Sequence, residues 1–243
     1  MKFLIKSGKI AAIISLLIFT GLFFAGQGTA GTLTFDYDVT FSGVSPAGPA
    51  PYLTSTFDDT SAASGYDVRL TVFAGNLDPT YESITKLYFN LNPSLDASLL
   101  TFQVASTDPG NTTPNSVTGK DNDYKADGDG LYDIYFDMPP PPGDMNARFT
   151  DNETLIYDIG YSGGASLTAQ SFNFISFPDG GEGEYFAAAH VQGINVLGCD
   201  PESDPGCDSG WVAVVPEPIS STLFMVGAAT LGFRRFRKRK SIS

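Results

Sequence analysis

The chain has 243 residues and a formal net charge of −13, with 42% hydrophobic and 13% aromatic residues. That hydrophobic and aromatic content excludes a disordered polyelectrolyte. Two cysteines and one histidine exclude a disulfide-dense scaffold and a Cys/His zinc centre.

The first 30 residues read as a secretory signal peptide. Lys2, Lys6 and Lys9 form a basic start, Ile10 to Phe24 an apolar run, and Gly28 and Ala30 the small residues expected at −3 and −1 of a cut after Ala30. The run is shorter than the roughly 20 residues of a membrane span. The chain is therefore expected to begin as a signal helix and to be exported.

Residues 31–212 form the expected domain, long enough for one real core. Charge is distributed unevenly along the chain. Between residues 31 and 215 stand 26 acidic residues against five basic ones (Arg69, Lys86, Lys120, Lys125 and Arg148), a balance of −21. No basic patch is available for a phosphate backbone, so nucleic acid is excluded as a partner. Such a body should stay soluble and attract divalent cations.

Apolar residues alternate through most of the domain. In "TLTFDYDVTF", Leu33, Phe35, Tyr37, Val39 and Phe41 share one face of a predicted strand. "YDVRLTVFAG", "KLYFNLN", "LLTFQVA", "LYDIYFDM", "ETLIYDIG", "SFNFISF", "YFAAAHVQGI" and "WVAVV" continue the series, separated by Gly, Pro, Asn and Asp turn signals. "SLDASLL" is expected to form at most one helical turn, and Pro139 to Pro142 an extended exposed loop. About ten short strands predict an all-β fold, an antiparallel β-sandwich of jelly-roll-like type.

Four stretches carry possible chemistry. "DNDYKADGDGLYD" crowds Asp121, Asp123, Asp127, Asp129 and Asp133 into what reads as one loop. Calcium takes six to eight oxygen ligands, and Asp alternating with Gly can wrap such an ion. The EF-hand pattern fails, because Lys125 takes a ligand position and no Glu closes the loop. A shorter Ca²⁺ site from Asp127, Asp129 and Asp133 with the Leu131 carbonyl is the candidate, against a polar turn. The acids at Asp58 and from Glu182 to Glu184 are weaker candidates. Cys199 and Cys207 bracket an acidic loop and are expected to pair as a disulfide in an exported chain. Ser162 in "GYSGG" matches a nucleophile-elbow pattern, but no strand–turn–helix context surrounds it, and a glycine-rich turn explains it better. His190 faces away from Ala187, Ala189 and Val191 and reads as a structural histidine. Trp211 reads as core. No catalytic residue can be assigned.

The C-terminus carries the strongest motif. Val215, Pro216, Glu217 and Pro218 precede an apolar run from Ile219 to Phe233, and six basic residues fill the seven positions Arg234 to Lys240. The run spans about 22 Å as a helix against a core of roughly 30 Å. It can insert with Arg234 and Arg235 at the interface. Residues 213–243 resemble the PEP-CTERM sorting signal of exopolysaccharide-producing Gram-negative bacteria. The resemblance implies a C-terminal transmembrane helix, recognition by the protease exosortase, cleavage near Pro-Glu-Pro, and release from the inner membrane to the cell surface or matrix. "AAAHVQGI" followed by "SGWVAVVPEP" is similar to the closing segment of several exosortase-dependent surface proteins, with the cysteine loop inserted. The expected function is a non-enzymatic, cation-bridged surface or matrix component associated with polysaccharide in a biofilm. The alternatives are a secreted carbohydrate-active enzyme on the same scaffold and a tail-anchored adhesive module.

Overall fold

The structure is a computed structural model and describes residues 31–105, 112–140, 147–181, 183–194 and 208–216. Alternating apolar residues become strands wherever two sheets can close over one of their faces. Eleven strands form among the described residues: β1 (Thr32–Tyr37), β2 (Val39–Gly43), β3 (Leu53–Asp58), β4 (Val68–Ala74), β5 (Ser83–Phe89), β6 (Leu100–Val104), β7 (Ser116–Ala126), β8 (Asp129–Asp137), β9 (Glu153–Tyr161), β10 (Ala187–Ile194) and β11 (Asp208–Val214).

One sheet has the order β1-β3-β4-β9-β6 and the other β2-β11-β10-β5-β8-β7. Every pairing is antiparallel. The expected all-β, two-sheet architecture is therefore present. One cluster of buried side chains lies between the sheets. Phe57 stacks on Phe172 at 4.1 Å between centroids and meets Phe89 edge-on at 5.3 Å. Phe136 takes the rings of Phe89, Phe102 and Tyr157 edge-on at 5.9, 5.9 and 5.4 Å. Each fully buried ring contributes about 2–3 kcal/mol of apolar burial, and the edge-on geometry suits the ring quadrupoles.

Four elements differ from the sequence expectation. "TLTFDYDVTF" is two strands: the chain changes sheets at exposed Asp38, so β1 pairs with β3 while β2 pairs with β11. The period of two survives the crossing, which is why it reads as one strand. "SFNFISF" forms no strand: its first two residues end a 3₁₀ turn, Ala169–Phe172, and the rest is chain that touches β8 through one bridge, Phe177 to Leu131. β3 and β7 lack long apolar alternation and were not expected as strands. The turn expected in "SLDASLL" forms as a 3₁₀ turn, Ala97–Leu99, capped by the Asp96 carboxylate on the Ser98 N–H.

The acid-rich "loop" is a β-hairpin. Asp127 and Gly128 both take positive φ, +46° and +88°, which is the signature of a tight two-residue turn matched to strand twist. Ala126 pairs with Asp129 across it. Further along, four residues of β7, Lys120 to Asp123, lie between the pairs Gly119–Ile134 and Tyr124–Tyr132, opposite the single residue Asp133. A bulge of this size bends its strand sharply. Beyond it the hairpin packs over the outer face of the six-stranded sheet. There Ala126, Tyr132, Tyr88 and Ala188 form a second buried cluster. The signal and transmembrane helices expected at the two ends lie outside the described residues. Among those residues no helix is long and apolar enough to cross a membrane.

Candidate functional site

The β7 bulge forms one wall of a cavity of about 310 Å³. Leu91, Asn92, Pro93 and Leu95, in the chain leaving β5, form a second wall. The extended segment Phe174 to Pro178 closes a third side, with Glu184 beside it. Two of its apolar residues stand open to solvent, Ile175 at 43% and Phe177 at 57% exposure. Exposed apolar side chains at the lip of a cavity make it a candidate binding surface.

Why the wall sits there follows from three local contacts. Phe177 exchanges two backbone hydrogen bonds with Leu131, at 2.8 and 2.9 Å. Ser176 takes the Tyr185 carbonyl through its N–H at 2.9 Å, and its hydroxyl accepts the Tyr185 N–H at 3.2 Å. Gly130, at φ +66°, leaves room for that hydroxyl where a Cβ would strike it. Ser176 and Tyr185 thus turn inward, while Ile175 and Phe177 turn outward.

Asp133 forms the floor. It is buried, and its two carboxylate oxygens accept the Leu91 and Asn122 N–H groups, each at 2.8 Å. Burial pushes its carboxyl above the ordinary range; the two N–H bonds oppose this and the neighbouring Asp121 charge adds to it. Asp121 lies on the bulge and accepts the Ala97 N–H at 2.8 Å. Asn122 holds φ at +48°, the left-handed conformation that Asn tolerates best after glycine. The strained residue thus presents its N–H to the buried acid. The charged side chains lining the cavity are Asp121, Asp133 and Glu184, all acidic.

The expected calcium trio is not assembled. Asp127 sits in the hairpin turn, Asp129 is buried at the start of β8, and Asp133 lies four residues further along the same strand. At about 3.3 Å per residue, Asp129 and Asp133 are separated by roughly 13 Å, too far to share an ion bound at about 2.4 Å. Among the described residues no group of three or more His, Cys, Asp or Glu side chains could hold a metal. The acids at Asp58 and Asp59 are engaged locally. Asp58 takes Thr60 N–H at 2.8 Å and the Thr60 and Ser61 hydroxyls, and Asp59 takes the Gly31 and Ala169 N–H groups.

His190 lies on the outer face of the six-stranded sheet, opposite Ala187, Ala189 and Val191, as expected. Its Nδ1 is 2.9 Å from the Thr85 hydroxyl and its ring stacks on Trp211 at 4.3 Å. Burial first, and Lys86 second, depress its pKa to about 4. Trp211 belongs to this outer face and is half-buried, not core. It also borders Tyr88 at 5.8 Å and Phe41 at 6.3 Å, and the Lys86 ammonium sits 6.0 Å from its ring. Tyr88, Tyr135 and Tyr124 continue the row at 5.1 and 5.4 Å. Tyr135 stacks on both Tyr88 and Tyr124, while the Trp211 contacts with Tyr88 and Phe41 are tilted. Ser162 sits where β9 ends, with its N–H and hydroxyl both on the Leu99 carbonyl at 3.0 Å, as a turn residue would.

Of the expected sorting signal, Val215 is half-buried and Pro216 exposed directly after β11. Glu217, Pro218, Arg234 and Arg235 lie outside the described residues, as do Ala30, Cys199 and Cys207. Segment 195–207 joins β10 to β11, which pair directly, with Ile194 opposite Asp208.

The cavity residues Ile175, Phe177 and Asn122 escaped sequence reasoning. An exposed Phe and a buried one look alike in "SFNFISF". The usable signal was the following Pro-Asp-Gly-Gly, which marks chain leaving the core. Comparison with family models, curated proteins and solved structures found no match.

Proposed function

We propose that this chain is an exported, non-enzymatic surface or matrix protein whose domain binds polysaccharide in the cavity beside the β7 bulge. The observation that carries the reading is the exposed pair Ile175 and Phe177 at the lip of a carboxylate-floored cavity. Sugars offer an apolar C–H face and a polar hydroxyl rim, and this wall and floor match the two. We read the two-sheet architecture as jelly-roll-like. The signal peptide ending at Ala30 delivers the chain, and a transmembrane helix within 219–233 holds it transiently in the inner membrane. Exosortase then cuts near Pro216, Glu217 and Pro218. Pro216 stands exposed immediately after the last strand, which leaves the body whole when the tail is removed.

Affinity electrophoresis of the exported protein in polysaccharide gels tests the reading. Retardation is expected, and Phe177→Ala should weaken it roughly tenfold without lowering the melting temperature. Unchanged mobility in every gel would overturn it. Intact-mass analysis should show loss of residues 1–30 and of the basic tail. The enzymatic alternative rests on one feature, a buried Asp133 with a raised pKa next to Asp121. Release of new reducing ends would move the protein into that class.

A further inference from the structure

We propose that the cavity selects a cationic saccharide, an amino sugar bearing a free ammonium group, over neutral and acidic sugars. The inference rests on the polysaccharide-binding reading and specifies its substrate class.

Two features carry it, the lining of the cavity and the engagement of the basic residues elsewhere. The first is local. Three carboxylates line the cavity, with no Lys, Arg or His among its walls. The floor carboxylate, Asp133, is already bonded once on each oxygen by a backbone N–H. A carboxylate has about four acceptor sites, so capacity remains on each oxygen for an ammonium donor. The neighbouring wall is apolar and aromatic. A sugar ring also presents an apolar C–H face, which suits the rings of Phe174 and Phe177.

The second observation concerns where the cations of the body go. Arg69 forms a two-pronged pair with Asp158 at 2.9 and 3.0 Å. Lys120 pairs with Asp123 at 2.7 Å and Lys125 with Asp179 at 3.0 Å. Lys86 lies over Trp211, and Arg148 is buried. None of the five lines the cavity. Among the described residues no basic side chain lines the cavity beside these carboxylates, although Lys120 is next to Asp121 in sequence. A uronic acid would meet like charge at Asp121, Asp133 and Glu184, while a sugar ammonium would meet opposite charge there.

The test is calorimetric titration of the exported protein at mildly acidic pH, where sugar amines are protonated. Four ligands are compared: fully deacetylated glucosamine oligomers, N-acetylglucosamine oligomers, neutral glucose oligomers and uronic acid oligomers. The deacetylated oligomer should bind at least about fivefold tighter than its acetylated counterpart, the ratio for one partly exposed charge pair. High salt should narrow that ratio. Glu184→Gln and Asp121→Asn should narrow it too; the Asn still accepts the Ala97 N–H. Phe177→Ala should weaken all bound sugars alike and leave the ratio unchanged. Equal affinity for amine and acetyl forms would overturn the inference while leaving the polysaccharide reading standing. Binding of none of the oligomers would remove that reading as well. Displacement of the sugar by a lysine-rich peptide at lower concentration would assign the carboxylates to a protein partner and overturn the proposal.

Discussion

His190 is the single histidine, and its environment makes its charge state measurable. Its native pKa of about 4 lies below the ordinary 6.5 because the ring is buried and Lys86 is near; Asp127 opposes this weakly. Above about pH 6.5 both native and unfolded chains hold it neutral. As pH falls from there toward about 4, the unfolded chain takes a proton that the native chain refuses, so stability declines. The loss reaches at most about 3 kcal/mol below the native pKa. The melting-temperature difference between wild type and His190→Gln should shift against wild type across that window, which cancels the contributions of the carboxylates. Trp211, the only tryptophan, provides a direct check, since an imidazolium stacked at 4.3 Å quenches indole emission. Quenching should set in with a midpoint near pH 4, and a midpoint near 6.5 would mean the ring is solvated. Glu82 is a second decisive residue. It is fully buried and accepts the Ala47 and Asp78 N–H groups, each at 2.8 Å, tying two loops together. Glu82→Ala leaves both donors unpaired and should cost about 2–4 kcal/mol in denaturant unfolding.

The β7–β8 hairpin links sequence to site most directly. Its Asp-Gly turn was visible in the sequence, yet the surrounding acids drew the reading toward a metal loop. Charged residues suit an edge strand, because they discourage pairing with another chain, and β7 is the edge of its sheet. Gly128 at φ +88° is required by the turn. Gly128→Val should cost about 1–3 kcal/mol, seen as a lower unfolding midpoint. The bulge opposite Asp133 had no local signature. It depends on where Gly119 and Tyr124 find partners across the sheet, and the cavity wall depends on the bulge. The last strand in the chain, β11, runs through buried Val214 to the edge of the Pro-Glu-Pro motif. That strand was legible, because "WVAVV" is apolar enough to be read in either context.

The body carries 26 acids against five bases, and the paired bases hold some of those acids inside the domain. The strongest pair joins Arg69 to Asp158 across neighbouring strands, with Asp158 only 2% exposed. Arg69→Met strands that carboxylate and should cost about 2–4 kcal/mol, a loss that Asp158→Asn in the same background should partly restore. Among the described residues the acids form no group of three that could hold a metal ion. Calcium should therefore stabilise the domain no more than magnesium does at equal ionic strength. A saturable melting shift specific to calcium would show that carboxylates gather somewhere beyond the described residues.

Composition and alternation were sufficient for the class of fold, because a period of two can be satisfied only by strands with one buried face. Charge supported the expectation that nucleic acid is not a partner, since only five bases stand among 26 acids in the body. The motif at residues 215–218 and the basic tail supported the expectation of export in the same local way. Which acids share a cavity is a different kind of fact. Asp121 and Asp133 are twelve residues apart, and a strand bend brings them together; Asp129 and Asp133, near neighbours in the chain, are held apart by extended backbone. Exposure of Phe177 against burial of Phe172 likewise depends on which side of the sheet the chain crosses, and that is set by long-range pairing rather than by neighbours in sequence.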